Sequence, residues 1–287
     1  MGFGMALAGG GTRGAAHVGV LLALTEAGLI PSSISGASAG AIVAGLYANG
    51  LSAQRMKNIL LSMSRNSREF IDPDIAGLLR SLAQLLTRRP VTIPGLIKGN
   101  RLEKMLCSLT GGKRMSDLSM RTVIPAVDIN TGETVAFTNT LRGTLPLPHV
   151  RWETDIRVCQ AMRASAAVPA VFHPVERGDQ CLVDGGLTDN LPVNLLLAAG
   201  ERNILAVDVS EEYEPPKNHG LIDIASHSLT ILTSRLREYL ACGEKLLLHP
   251  PLPEDAGLLT FEMMGACMEA GYAAAKAEIP VIRAMLG

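Results

Sequence analysis

Apolar and polar positions divide the chain into alternating strand-like and helix-like stretches from its first residues. Phe3–Ala8 is a short apolar run ending in Gly9-Gly10-Gly11, the pattern of a buried strand that enters a loop. Ala15–Glu26 reads as a helix with Val18, Leu21, Leu22 and Leu29 on its apolar side, stopped by Gly28 and Pro31. Ser33–Gly36 is a brief second strand, and Ala39–Ala48 a small-residue helix closed by Asn49-Gly50. Residues 52–110 read as wholly helical, with breaks at Pro73, Pro90 and Pro94. Strand patterns return at Val123–Ile129 and Val135–Thr138, followed by a helix over Thr154–Ala164. Val171–Val175, Cys181–Val183 and Ile204–Val209 are further strands, and Ile224–Tyr239 and Phe261–Leu286 are helices, the latter broken at Pro280.

This order predicts an α/β fold of three layers, α/β/α, with a mostly parallel central sheet. Nothing along the 287 residues has the composition of a linker, so one domain over 1–287 is expected, with a helical insertion at about 51–115. Inside that insertion Ile75, Leu78, Leu79, Leu82, Leu85 and Leu86 share one helical face, and Arg80 and Arg88 lie off it. Such a helix either packs its leucines on its own core or lays them into a lipid interface.

Charge weighs on that choice. The whole chain is close to neutral, at −1, which gives no pull towards nucleic acid. Residues 51–115 nevertheless hold twelve Lys/Arg against four acids, a local +8 that leaves the remainder at −9. Arg80, Arg88 and Arg89 are therefore candidates to face an anionic membrane. The five cysteines are odd in number and without a C-x-x-C pair, which predicts buried free thiols in a reducing compartment. The first residues lack the basic segment of a secretory signal, and Ala6 stands where myristoylation wants Ser or Thr. No apolar stretch reaches the roughly 20 residues of a membrane span. The expected location is cytoplasmic, with peripheral contact at the inner face of a membrane left open.

Gly36-Ala37-Ser38-Ala39-Gly40 is a G-x-S-x-G sequence lying between a strand and a helix. That context predicts a strained turn which projects the Ser38 hydroxyl as a nucleophile, with glycine where side chains would clash. Gly9-Gly10-Gly11-Thr12-Arg13-Gly14 follows the first strand, and its backbone N–H groups suit an oxyanion better than a nucleotide, for which no P-loop lysine is present. Arg13 either steers a phosphate headgroup or braces the loop, and bracing is preferred. No histidine among His17, His149, His173, His219, His227 and His249 stands in a recognisable motif, which argues against a triad. Asp184-Gly185-Gly186 follows Cys181–Val183, so its carboxylate reaches the edge that carries Ser38 if the strands are parallel. It would then act as general base, although a plain β-turn on Asp-Gly is the commoner local reading. No zinc spacing or calcium loop is present, so no metal or cofactor is expected.

Taken in order, the glycine loop Gly9–Gly14, the elbow Gly36–Gly40, the stretch Arg163-Ala164-Ser165-Ala166-Ala167-Val168-Pro169, and Asp184-Gly185-Gly186 with Asn190-Leu191-Pro192 resemble the patatin-like phospholipases, in particular their short bacterial members. Glu269-Ala270-Gly271-Tyr272 extends the resemblance almost to the end of the chain, while the region around 65–98 aligns with no family pattern. The resemblance implies a Ser–Asp dyad acting on fatty-acyl esters, with Ser38 as nucleophile and Asp184 as base. Its oxyanion hole would be drawn from Gly9, Gly10, Gly11 and Ala39, supported by Gly36, Gly40, Arg13, Gly14, Gly185 and Gly186. Ala37 stands where many members have threonine, and His17 matches the family but reads as structural on its helix. The expected substrate is a phospholipid or other fatty-acyl ester, cleaved in the manner of a phospholipase A or lysophospholipase. Two alternatives stay open: an acyltransferase or thioesterase with the same acyl-enzyme chemistry, and a non-catalytic lipid-binding or regulatory protein.

Overall fold

The computed structural model describes residues 2–210, 220–240 and 243–286. The chain runs β1 (Gly4–Leu7), α1 (Ala15–Glu26), β2 (Ser33–Gly36), α2 (Ala39–Ala48), α3 (Ala53–Arg65), α4 (Ile75–Leu86), β3 (Gly95–Ile97) and α5 (Asn100–Thr110). It continues through β4 (Arg121–Asp128), β5 (Glu133–Thr138), β6 (Val150–Glu153), α6 (Val158–Ser165), β7 (Ala170–Phe172), β8 (Val175–Arg177) and β9 (Gln180–Asp184). The last elements are α7 (Val193–Ala198), β10 (Ile204–Val207), α8 (Leu221–Leu240), β11 (Leu246–Leu248) and α9 (Met264–Leu286). The main sheet has the order β11-β10-β1-β2-β4-β5-β6, parallel from β11 through β4. Helices cover both faces, as a three-layer α/β fold requires. In β2, Ser33 and Ser35 reach Glu201 and the Pro192 carbonyl next to α7, and Ile34, alternate along the strand, is buried on the other side.

β1 and β10 are buried along their whole length, which is why they read as unbroken apolar runs. α1 ends where Gly28 takes a positive φ of 70°, letting Leu29 N–H donate back to Leu24 O. α9 lies so close to α1 that a side chain at Gly271 would strike the backbone of Ala16. Pro280 does not break α9: the helix continues through it, with Ala275 and Ile282 buried on either side. Tertiary packing outweighs the one hydrogen bond that proline removes.

Three further expectations need correction. The stretch 52–110 is not wholly helical, because β3 pairs in parallel with β7 as a separate two-stranded sheet. The stretch 154–164 is helical only from Val158, and the strand β6 before it pairs with β5. The cysteines are not all free: Cys107 of α5 and Cys159 of α6 form a disulfide with their Cα atoms 4.9 Å apart. Fifty-two residues separate the two, so nothing in their spacing reveals a bridge that only the packing of α5 on α6 creates. Cys181 and Cys267 are buried thiols, and Cys242 lies outside the described residues. Cysteine usage therefore no longer argues for a reducing compartment. Among the described residues, no helix is long and apolar enough to cross a membrane.

α4 is the element whose packing the periodicity left undecided. Its six stripe residues are 44–78% exposed, so the leucines face outward. Gly77, Ser81 and Gln84, spaced at i, i+4 and i+7, form the less exposed side. The helix is held mainly at its start: Asp74 caps it through Gly77 N–H at 3.0 Å, and Lys98 and His173 approach the same carboxylate at 3.4 and 3.2 Å. Arg80, Arg88 and Arg89 are all exposed.

Candidate active site

β2 delivers the serine. Gly36 closes the strand, Ser38 stands as N-cap of α2, and its backbone takes φ 51° and ψ −119°. For a residue with a side chain this is a strained conformation, held only because the surroundings over-determine it. The clamp is tight. A Cβ at Gly36 would strike the Gly40 carbonyl, and one at Gly40 would strike the Leu7 carbonyl of β1. Ala37 N–H bonds Leu7 O at 3.1 Å, and Ser38 N–H bonds Ser165 Oγ at 3.0 Å.

Asp184 arrives by a route that parallel strands do not provide. β9 is antiparallel to β4, with Ala126 opposite Asp184, whereas β2 pairs in parallel with β4 only as far as Val123. β4 thus overhangs β2 by several residues, and β9 pairs with the overhang while running back towards β2. The C-terminal tips of β2 and β9 meet along β4, with Pro125, which has no N–H to offer either, in the gap. The premise of parallel strands is corrected, and the outcome is a short contact: Ser38 Oγ donates to Asp184 Oδ2 at 2.7 Å.

The second carboxylate oxygen, Oδ1, accepts from Gly186 N–H at 2.8 Å, and Asp184 N–H donates to Ala167 O at 3.0 Å. Ser38 and Asp184 are both buried. Burial pushes the Asp184 carboxyl up to about 6, with the hydrogen bonds from Ser38 and Gly186 opposing the rise. Near neutral pH the group is mostly ionised and can accept a proton.

The stretch 163–169 now has a structural account that sequence reasoning did not supply. Ser165 holds the serine turn, Ala167 holds the aspartate, and the single residue between them, Ala166, sets the spacing of both. Arg163, almost fully buried, anchors this stretch by donating to the carbonyls of Lys98, Gly99 and His173 at 2.8–3.2 Å. The motif is visible in the chain, but its role depends on contacts with residues as far away as Ser38, 127 positions earlier.

The glycine loop sits beside Ser38. Gly9 N–H is committed to Asn190 O at 2.9 Å, which removes it from the expected oxyanion donors. The N–H groups of Gly10, Gly11 and Ala39 have no partner among the described residues, and Ala39 opens α2, where N–H groups and dipole favour negative charge. The rest of the loop is strapped to the 256–260 segment: Arg13 Nε donates to Ala256 O and Thr12 Oγ1 to Gly257 O, both at 2.5 Å. Arg13 therefore braces. His17, fully buried, donates from Nε2 to Ala8 O at 2.8 Å, and burial lowers it to about 4, so it stays neutral and structural.

Ser38 Oγ donates its proton to Asp184 and not to a histidine. His249 Nδ1 lies 3.5 Å from the buried Asp208, and His227 lines a groove near the serine. His219 lies outside the described residues. Among the described residues, no group of three or more His, Cys, Asp or Glu is placed to hold a metal ion.

Two grooves leave Ser38. One is almost entirely apolar and includes Ile42, Val43 and Leu46 of α2, Met63 of α3 and Phe172 of β7. The other is more polar and includes Asp184, Asn190, Ser210, and Thr230 and Ser234 of α8. An acyl chain fits the first, and a polar leaving group or an acceptor fits the second.

The model of the patatin-like phospholipase family matches residues 5–197, a span that contains all of the motifs up to Asn190-Leu191-Pro192. An uncharacterized NTE family protein of Mycobacterium tuberculosis is 28% identical over 303 aligned positions, covering 96% of this chain and 46% of the relative. Lysophospholipase NTE1 of Mycosarcoma maydis is 29% identical over 221 positions, covering 77% of this chain and 10% of that protein. The chain thus spans less than half the length of these curated relatives. Among solved structures, VipD from Legionella pneumophila aligns over 99% of this chain and 67% of its own, with a TM-score of 0.51 and 16% identity, a likeness of fold.

Proposed function

The chain belongs to the patatin-like phospholipase family, and from that premise we propose that it is a serine lipid acyl-ester hydrolase of phospholipase A or lysophospholipase kind. The observation that carries the reading is the 2.7 Å hydrogen bond from Ser38 to a buried Asp184, beside backbone N–H groups that have no other partner among the described residues. As Ser38 Oγ attacks the ester carbonyl, its proton passes to Asp184 Oδ2. The carbonyl oxygen becomes an oxyanion, held by the N–H groups of Gly10, Gly11 and Ala39. The tetrahedral intermediate collapses, the alcohol leaves with the proton from Asp184, and the acyl group remains on Ser38. Water, deprotonated by the same carboxylate, then releases the fatty acid and restores the serine.

The NTE1 relative is named a lysophospholipase, which supports a lipid substrate with one acyl chain and a polar remainder. The pair of grooves agrees with that chemistry. A purely lipid-binding protein gains nothing from a base aimed at a strained serine. The outward leucine face of α4, within a segment of net charge +8, supports peripheral docking on an anionic membrane.

The test is a panel of lysophospholipids and diacyl phospholipids incubated with wild type and Ser38→Ala. Wild type should release fatty acid from at least one of them and Ser38→Ala from none. Glycerol added as acceptor should not divert most of the acyl group to a glyceride. A glyceride as the main product would reassign the chain to acyl transfer, and release by Ser38→Ala would reject the nucleophile.

A further inference from the structure

The apolar groove has a length, and that length sets which acyl chain fits. The inference deepens the hydrolase reading above and rests on it. Ser38, Ala39, Ile42, Val43 and Leu46 line the groove at successive turns of one helix, so the groove runs along α2 away from the nucleophile. Eight residues at the α-helical rise carry it about 12 Å from Ser38 to Leu46.

The far end can be located from neighbouring contacts. α6 runs antiparallel to α2: Ser165 meets Ser38 at one end, and Val158 and Met162 press on Gly45 at the other. α5 lies along α6 in a fixed register. Arg163 donates to the Gly99 carbonyl at the start of α5, and Cys159 is bridged to Cys107 near its end. Met105, two residues before that bridge, therefore lines the groove at its Leu46 end. α3 follows α2 after a four-residue turn, which brings Met56, in its first turns, to the same place. Leu46 and Met56 are buried. Two flexible thioethers and a leucine thus line the same groove, and the registers of α3 and α5 set both methionines towards its Leu46 end.

We propose that Leu46, Met56 and Met105 form a stop that selects acyl chains of about eight to ten carbons, since an extended chain advances about 1.25 Å per bond. Up to the stop, each added methylene finds apolar wall and should raise kcat/KM about two- to fourfold. Past it, the chain must displace packed side chains or bend back to the mouth, and kcat/KM should fall about tenfold.

The experiment is a kcat/KM series on p-nitrophenyl esters from butyrate to myristate, each below its aggregation concentration. Wild type should peak at octanoate or decanoate. Met105→Ala, which deepens the end, should move the peak to laurate or beyond. Val43→Phe, which fills the middle, should move it to butyrate or hexanoate. Shifts in opposite directions are not what general damage to the fold produces. A wild-type profile that is flat or still rising at myristate, or a peak that neither variant moves, overturns the stop while leaving the hydrolase reading intact. No turnover of any ester rejects the hydrolase reading, and the stop with it.

Discussion

Asp184→Asn should give a folded protein whose turnover of a soluble ester is lower by about 10²–10⁴-fold, the usual worth of general-base assistance. The amide can still accept from Gly186 N–H, as Asp184 Oδ1 does at 2.8 Å, so the strand tip and the loop after it should keep their places. It cannot take the Ser38 proton. Stability should hold or rise, because the folded pKa of Asp184 lies above its ordinary value, at about 6. The folded state therefore disfavours the ionised form, a cost present in full above about pH 6 and lost as pH falls from there to the ordinary carboxylate value. Replacing the charge removes that cost. Alanine at His227 or His249 should leave turnover within a few-fold of wild type. A folded histidine variant as inactive as Asp184→Asn would restore a triad.

The same carboxyl sets the acid limb of the pH profile. kcat/KM should fall as pH drops through about 6, where Asp184 protonates and loses its capacity to accept. Asp189 also rises, to about 7 by burial, but lines neither groove at Ser38. Asp189→Asn should therefore leave the inflection where it is. An inflection near the ordinary value of about 4, or one that moves with Asp189→Asn, would remove Asp184 from the titration.

On anionic vesicles, replacing Arg80, Arg88 and Arg89 by glutamine should weaken binding by about two orders of magnitude at low salt, each charge being worth about 1 kcal/mol near such a surface. All three side chains are exposed, and none touches Ser38, Asp184 or the glycine loop. Hydrolysis of a short soluble ester should therefore be unchanged. Raising the salt should weaken wild-type binding and narrow the gap to the variant, because screening acts over about 8–10 Å. The leucine face adds the insertion that follows attraction, so Leu79→Ser with Leu82→Ser should reduce vesicle activity even at low salt. Equal vesicle activity of the arginine variant and wild type at all salt concentrations would leave α4 a solvated helix with no lipid to meet.

The first four elements, β1 to α2, are legible in the sequence because each is short, strongly patterned and closed by glycine or proline. The serine turn is legible for the same reason: two glycines at fixed spacing meet a strand on one side and a helix on the other. The direction of β9 is not, since it depends on how far β4 overhangs β2, a difference in length between two strands that pair only in part. The disulfide between Cys107 and Cys159 is a consequence of α5 packing on α6 and leaves no trace in spacing. The leucine stripe of α4 shows which residues share a face, but not whether that face is covered, and here it is bare. Gly9 belongs to a run of three glycines alike in sequence. Its loss as an oxyanion donor follows only from Asn190, which turns its carbonyl towards that one N–H.

The central claim is that Ser38 is a nucleophile activated by its surroundings, and a fluorophosphonate probe tests it most directly, since only an activated serine displaces its leaving group. Intact protein should gain one adduct, mapped by peptide mass spectrometry to Ser38, with labelling slowed in Asp184→Asn and absent in Ser38→Ala. A folded wild type that takes no label, an adduct on another residue, or labelling that survives Ser38→Ala would contradict the account.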